Sequence, residues 1–110
     1  MGKLEMNWPK DADGDVLRGL QSREFDFSRE YLIDFNVDFE EWPPPPQAIA
    51  LLRRHYPSAT VYQGDDEGPG DILVQIYSRV DYDLVVRVQK EISGLMAPFG
   101  GVCESWGALH

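Results

Sequence analysis

Tyr31-Leu32-Ile33-Asp34-Phe35-Asn36-Val37-Asp38-Phe39 decides the fold of this 110-residue chain. Every odd position holds a large apolar or aromatic residue. Successive side chains of a strand point to opposite faces, so Tyr31, Ile33, Phe35, Val37 and Phe39 share one buried face. Leu32, Asp34, Asn36 and Asp38 share the other. This alternation belongs to an antiparallel sheet with one covered and one wet face.

Upstream of this strand, residues 1–10 read as a loosely ordered lead-in in which Trp8 and Pro9 pack locally. Asp11 or Asp13 caps a first helix with Val16, Leu17 and Leu20 on one side. Phe25 and Phe27 pack down as the chain turns into the strand. Downstream, Pro43 to Pro46 break the strand and hold an extended connection. Pro46 suits the first position of a second helix, where a missing N–H costs nothing. That helix runs to about Tyr56 with Ile49, Leu52 and Tyr56 inward, and Pro57 stops it.

A short strand, Ala59 to Gln63, leads into residues 64–70, whose glycines, proline and acids spell a surface turn. Asp71 to Arg79 alternates again, with Ile72, Val74 and Ile76 on one side and Leu73, Gln75 and Tyr77 on the other. Asp81 caps a third helix whose Val85, Val88, Ile92, Leu95 and Phe99 recur at three- and four-residue steps. Pro98 and Gly100-Gly101 end it, and Val102 to Leu109 supplies a last strand. The order strand-helix-strand-strand-helix-strand has few solutions. Right-handed crossovers place both helices on one face of a four-stranded antiparallel sheet. The expected fold is therefore α+β: a ferredoxin-like βαββαβ sandwich with an extra N-terminal helix, in one domain over residues 11–110. The first and third strands lie side by side in its centre. Leu32, Asp34, Asn36, Asp38, Leu73, Gln75, Tyr77 and Arg79 form its open face unless the N-terminal helix covers part of it.

Composition narrows the function classes. Nineteen acidic against ten basic side chains give a formal charge of −9, a field that repels phosphate backbones and attracts basic partners. The third strand lacks the aromatic and basic residues of an RNA-recognition motif, so no direct nucleic-acid partner is expected. Cys103 is the only cysteine, which excludes an internal disulfide and the Cys-x-x-Cys of a metal chaperone and suits a reducing compartment. No apolar stretch approaches the roughly 20 residues that cross a bilayer, and Met1 to Asp11 lack an apolar signal core. A cytoplasmic protein is expected.

The candidate chemistries fall in turn. His55 sits near a helix end and His110 at the terminus, with no nucleophile in an activating motif beside either. No basic residue flanks Cys103 to make it reactive. Asp11-Ala12-Asp13-Gly14-Asp15 superficially suggests a calcium loop, but its glycine stands at the fourth position and Ser22 occupies the twelfth. Helix capping and dipole attraction explain those aspartates instead. Asp65-Asp66-Glu67 reads as a solvated turn, and the P-x-x-P spacing of the proline run as a fixed connection rather than a polyproline ligand. An acylphosphatase-like site needs an arginine after the first strand, where this chain has Glu40-Glu41-Trp42-Pro43. Neither an enzyme activity, nor a metal, nor a cofactor is expected.

Two short motifs carry a resemblance. Asp13-Gly14-Asp15-Val16-Leu17-Arg18-x-Leu20 stands near one end, and Phe99-Gly100-Gly101-x-x-x-Ser105-Trp106-Gly107 near the other. With Glu24-Phe25-Asp26-Phe27, in the place of a typical Gly-Phe-Asp-Leu, they make the chain resemble the ribonuclease E inhibitor RraB family over about residues 11–108. The resemblance implies a protein inhibitor that binds the non-catalytic scaffold part of ribonuclease E and lowers RNA decay and processing. An acidic domain suits such a partner, because arginine-rich scaffold segments form charge-assisted, often bidentate contacts with carboxylates. On this reading the partner meets the open face and last strand. Asp34, Asp38 and Glu104 pair with basic groups, while Tyr77 and Trp106 supply stacking area. A second class stays open: a ferredoxin-like domain that senses a small molecule or associates with itself as a homodimer through the sheet face.

Overall fold

The computed structural model describes residues 9–66 and 68–108. Trp8, Glu67, Leu109 and His110, which figure in the sequence reading, lie outside the described residues. The elements follow in the order α1 (Ala12–Ser22), β1 (Glu30–Phe39), α2 (Pro46–His55), β2 (Thr60–Tyr62), β3 (Asp71–Arg79), α3 (Tyr82–Met96), a short 3-10 turn (Ala97–Phe99) and β4 (Gly101–Ala108). The strands form one antiparallel sheet of order β2-β3-β1-β4. The fold is α+β, with β1 and β3 adjacent in the centre, the placement expected from the order of elements.

Capping explains where the helices begin. Asp11 is the N-cap of α1, accepting from the Gly14 N–H at 2.7 Å, and Asp81 caps α3 through the Leu84 N–H at 2.7 Å. These bonds satisfy amides that a helix start leaves without partners. Pro46 opens α2, and Pro45 before it contributes no side-chain cap. The end of α1 is a Schellman turn: the Phe25 N–H bonds the Leu20 carbonyl and the Glu24 N–H bonds the Gln21 carbonyl. That geometry places Glu24 at φ 60°, the left-handed region that favours glycine. Leu20 and Phe25, both buried, close the accompanying apolar contact, and the Phe25 ring packs 4.5 Å from Tyr31, centroid to centroid.

One apolar cluster fills the space between the sheet and the helices. Ile33, Phe35 and Val37 of β1 meet Ile72 and Val74 of β3, Leu17 of α1, Ala48 and Leu52 of α2, and Val85, Ile92 and Met96 of α3, all fully buried. Two expectations shift by one residue. Ala48 rather than Ile49 is the buried partner of Leu52, and Met96 rather than Leu95 continues the α3 stripe, because a 3.6-residue turn carries the inward face along the helix. Gly100, at φ 75°, reverses the chain after the 3-10 turn, and a Cβ at Gly101 would stand 2.6 Å from the Phe39 ring.

The sheet contains one irregularity with large consequences. Asn36 pairs with Ser105 and Val37 with Cys103, so Glu104 is an extra residue in β4. A bulge of this kind bends the edge strand and resets its alternation. Cys103 faces the core, and beyond the bulge it is Trp106, opposite Phe35, that faces inward again.

Candidate functional site

The two terminal motifs meet in space. Asp13 of α1 accepts at Oδ1 from the Trp106 indole N–H of β4 and from the Gln89 side-chain amide of α3, each at 2.9 Å. Gln89 is buried, and its amide also reaches the Val85 carbonyl at 3.0 Å. One carboxylate thus ties three elements together, and buried donors held this way rigidify a packed junction. The rest of the motif serves the same helix. Asp11 also accepts from the Tyr82 hydroxyl at 2.6 Å, which with the Gly14 N–H holds its carboxyl below the ordinary carboxylate range. Asp15 pairs with Arg18 on the exposed side. At Gly14 a Cβ would stand 2.0 Å from the Pro9 carbonyl oxygen, so the chain entering α1 fits only against glycine. The aspartates that superficially suggested a calcium loop are therefore a cap, a junction and a surface ion pair.

Because α1 packs against α3 and beside the inward-facing Trp106, it lies on the helical side of the sheet, and no helix among the described residues covers the other side. The register places Glu30, Leu32, Asp34, Asn36 and Asp38 of β1 on that open face, opposite Arg79, Tyr77, Gln75 and Leu73 of β3. Asp34 accepts from the Gln75 amide at 2.8 Å, and Asp38 is exposed. Tyr77 is 65% exposed. The structure thus brings together three of the five sequence-predicted contact residues, Asp34, Asp38 and Tyr77.

The other two, expected on the last strand, lie there but off the open face. Trp106 does not stand on the open face; the bulge turns it to the helical side, half-buried against Asp13. Glu104 is the bulge residue itself and lines a cleft of about 270 Å³ with Asp13, Gln89, Lys90 and Ser93, also away from the open face. Simple alternation from Cys103 gives neither position.

The register adds Tyr62, Asp71 and Val102 to the open face, beside the expected Leu32 and Tyr77. Leu32, Tyr62, Tyr77 and Val102 are four of the five exposed large apolar side chains among the described residues. Tyr62 pairs with Asp71 and Val102 with Asp38, so both stand on this side. The alternation of β3 already puts Asp71 on the face of Leu73; the pairing of Tyr62 and Val102 is not readable locally.

Elsewhere the titratable groups serve the fold. Burial, followed by the charges of Asp38 and Asp13, pushes the Cys103 thiol up to about 12, so the protonated form dominates. The Cys103 N–H and carbonyl both bond the Ser93 hydroxyl, at 2.9 and 3.2 Å, which covers part of the β4 edge. His55 is an exposed last residue of α2 beside Arg53 and Arg54, and cations at a helix C-terminus are favoured by its dipole. The proline run lines a cleft of about 370 Å³ with Glu40, Glu41 and Phe99 and delivers the chain to α2. No helix among the described residues is long and apolar enough to cross a membrane.

Comparison with known proteins agrees with the motifs. A protein-family model described as regulator of ribonuclease activity B, RraB, matches residues 10–108, nearly the whole chain. No curated protein matches it.

Proposed function

The chain belongs to the RraB family of regulators of ribonuclease activity, and on that premise we propose that it binds ribonuclease E in its scaffold region. It restrains RNA decay and processing by contact between proteins and not by turnover of a substrate. The family match over residues 10–108 carries this reading. Two features support it. The charge of −9 steers the domain towards arginine-rich segments and away from RNA. The open sheet face offers Asp34, Asp38 and Tyr77 as acceptors and stacking area. Exposed Glu104, across the β4 edge, adds an acid to a second side, while the Trp106 N–H is committed to Asp13.

Calorimetric titration of the purified chain with the ribonuclease E scaffold region tests this, alongside an RNA-cleavage assay of the full nuclease. A complex that weakens as salt rises, together with slower cleavage, is the expected result. Absence of a complex at low salt, or a dimer of this chain that ignores the nuclease, refutes the proposed partner.

A further inference from the structure

The open face has an uneven chemistry along its length. At one end, Glu30 of β1 pairs with Arg79 of β3, so acid and base stand opposite each other. At the other end the ladder closes on Val37 and Ile72, and the next residues, Asp38 and Asp71, stand side by side. Tyr62 of β2 flanks Asp71, and Val102 of β4 flanks Asp38. A row across all four strands therefore reads Tyr62, Asp71, Asp38, Val102, about 14 Å wide at the usual strand spacing. Among the described residues no lysine or arginine pairs with Asp34, Asp38 or Asp71.

Like charges directly opposite on adjacent strands are unfavourable. Burial, and next the Asp38 charge, hold the Asp71 carboxyl above its ordinary value. The row carries apolar area as well: Tyr62 is 51% exposed and Val102 38%, and further along the face Leu32 is 38% exposed and Tyr77 65%. A concentration of exposed apolar side chains on one sheet face marks an interaction surface, and the unopposed carboxylates set the sign of its partner.

We propose that this face docks an extended, arginine-bearing segment of a partner protein, with a guanidinium held by Asp38 and Asp71 and stacked on Tyr62, and with apolar side chains covering Val102, Leu32 and Tyr77. A guanidinium presents planar paired donors to two carboxylates and stacks on an aromatic ring, which an ammonium does not match. A second copy of this chain is disfavoured as occupant, because it would bring the same acids and the same net charge against them. The proposal rests on the reading of the protein as a contact regulator, but not on ribonuclease E as the partner.

The test follows amide shifts of the labelled protein during titration with a short synthetic peptide alternating arginine and leucine, with its lysine counterpart, and with the ribonuclease E scaffold region. Shifts confined to the open face, tighter binding of the arginine peptide, and a loss on the order of tenfold or more in Asp38→Asn/Asp71→Asn are expected. Tyr62→Ala weakens the arginine peptide more than the lysine one. The asparagine pair removes a like-charge repulsion, so that variant stays folded. Absence of peptide binding, shifts centred on Glu40 and Glu41 or on the helices, equal affinity of the asparagine variant, or dimerisation through the face overturns the proposal. Peptide binding on this face with no response to ribonuclease E ends the proposed partner and keeps the face. Ribonuclease E bound equally well by wild type and variant ends the face and keeps the partner.

Discussion

Replacing Asp13 by alanine and Trp106 by phenylalanine, singly and together, measures how much the junction between the two terminal motifs stabilises the fold. The Asp13 carboxylate accepts two bonds of 2.9 Å, one from Trp106 and one from the buried Gln89. A hydrogen bond to a charged group contributes about 1.5–3 kcal/mol. Gln89 keeps its bond to the Val85 carbonyl in the alanine variant, so only the indole N–H is left wholly without a partner. Asp13→Ala is therefore expected to cost about 2–3 kcal/mol, and Trp106→Phe about 1.5–2 kcal/mol through its one lost bond. Since both remove the same bond, the double variant should recover a coupling of about 1–2 kcal/mol. On a total stability of roughly 5–15 kcal/mol this is a large fraction, and Tm falls by about 4 °C per kcal/mol for a domain of this size. Urea unfolding followed by far-UV circular dichroism gives the four stabilities without depending on tryptophan fluorescence. Additive losses, with coupling below about 0.5 kcal/mol, would refute the junction.

Two further predictions concern the backbone and the acids. Glu24, at φ 60° in the turn that ends α1, is expected to stabilise the fold by about 0.5–1 kcal/mol when replaced by glycine, since relief of left-handed strain outweighs the added unfolded-state freedom; a lower unfolding midpoint would contradict this. For the acids the sign differs by residue. Asp11 is held below its ordinary 3.8, first by the Tyr82 hydroxyl, and Asp26 below its 3.8, first by the Ser28 hydroxyl. Their contributions are complete above 3.8 and vanish as pH falls through the lower folded values. Asp71 is raised, first by burial, so its charged form destabilises the fold above its folded value. Asp71→Asn should be more stable than wild type at neutral pH, with the gain fading on acidification towards 3.8. Equal stability across that range, in a pH series of urea midpoints, would overturn the argument.

Much of this protein is written in short-range pattern. Period-two alternation in residues 31–39 and 71–79 determined the strands and their buried faces, because side-chain parity depends only on neighbours along the chain. Asp81, Pro46, Pro98 and Gly100 marked helix limits through local stereochemistry, and the order of elements left the central pair β1 and β3 as its solution. The terminal motifs identified the family. Their reason for standing at opposite ends of the chain, the bond from Trp106 to Asp13, was visible only once the chain had folded. One extra residue at Glu104 reverses the parity of everything after it in β4, and that insertion exists only relative to the partner strand β1. The packing of α1 against α3, which keeps that helix off the open face, and the row of Tyr62, Asp71, Asp38 and Val102 are likewise relations across strands and layers. Local pattern sets what each segment is and which side of it is apolar; only pairing between distant segments decides which side chains become neighbours, and so where a partner finds its charges.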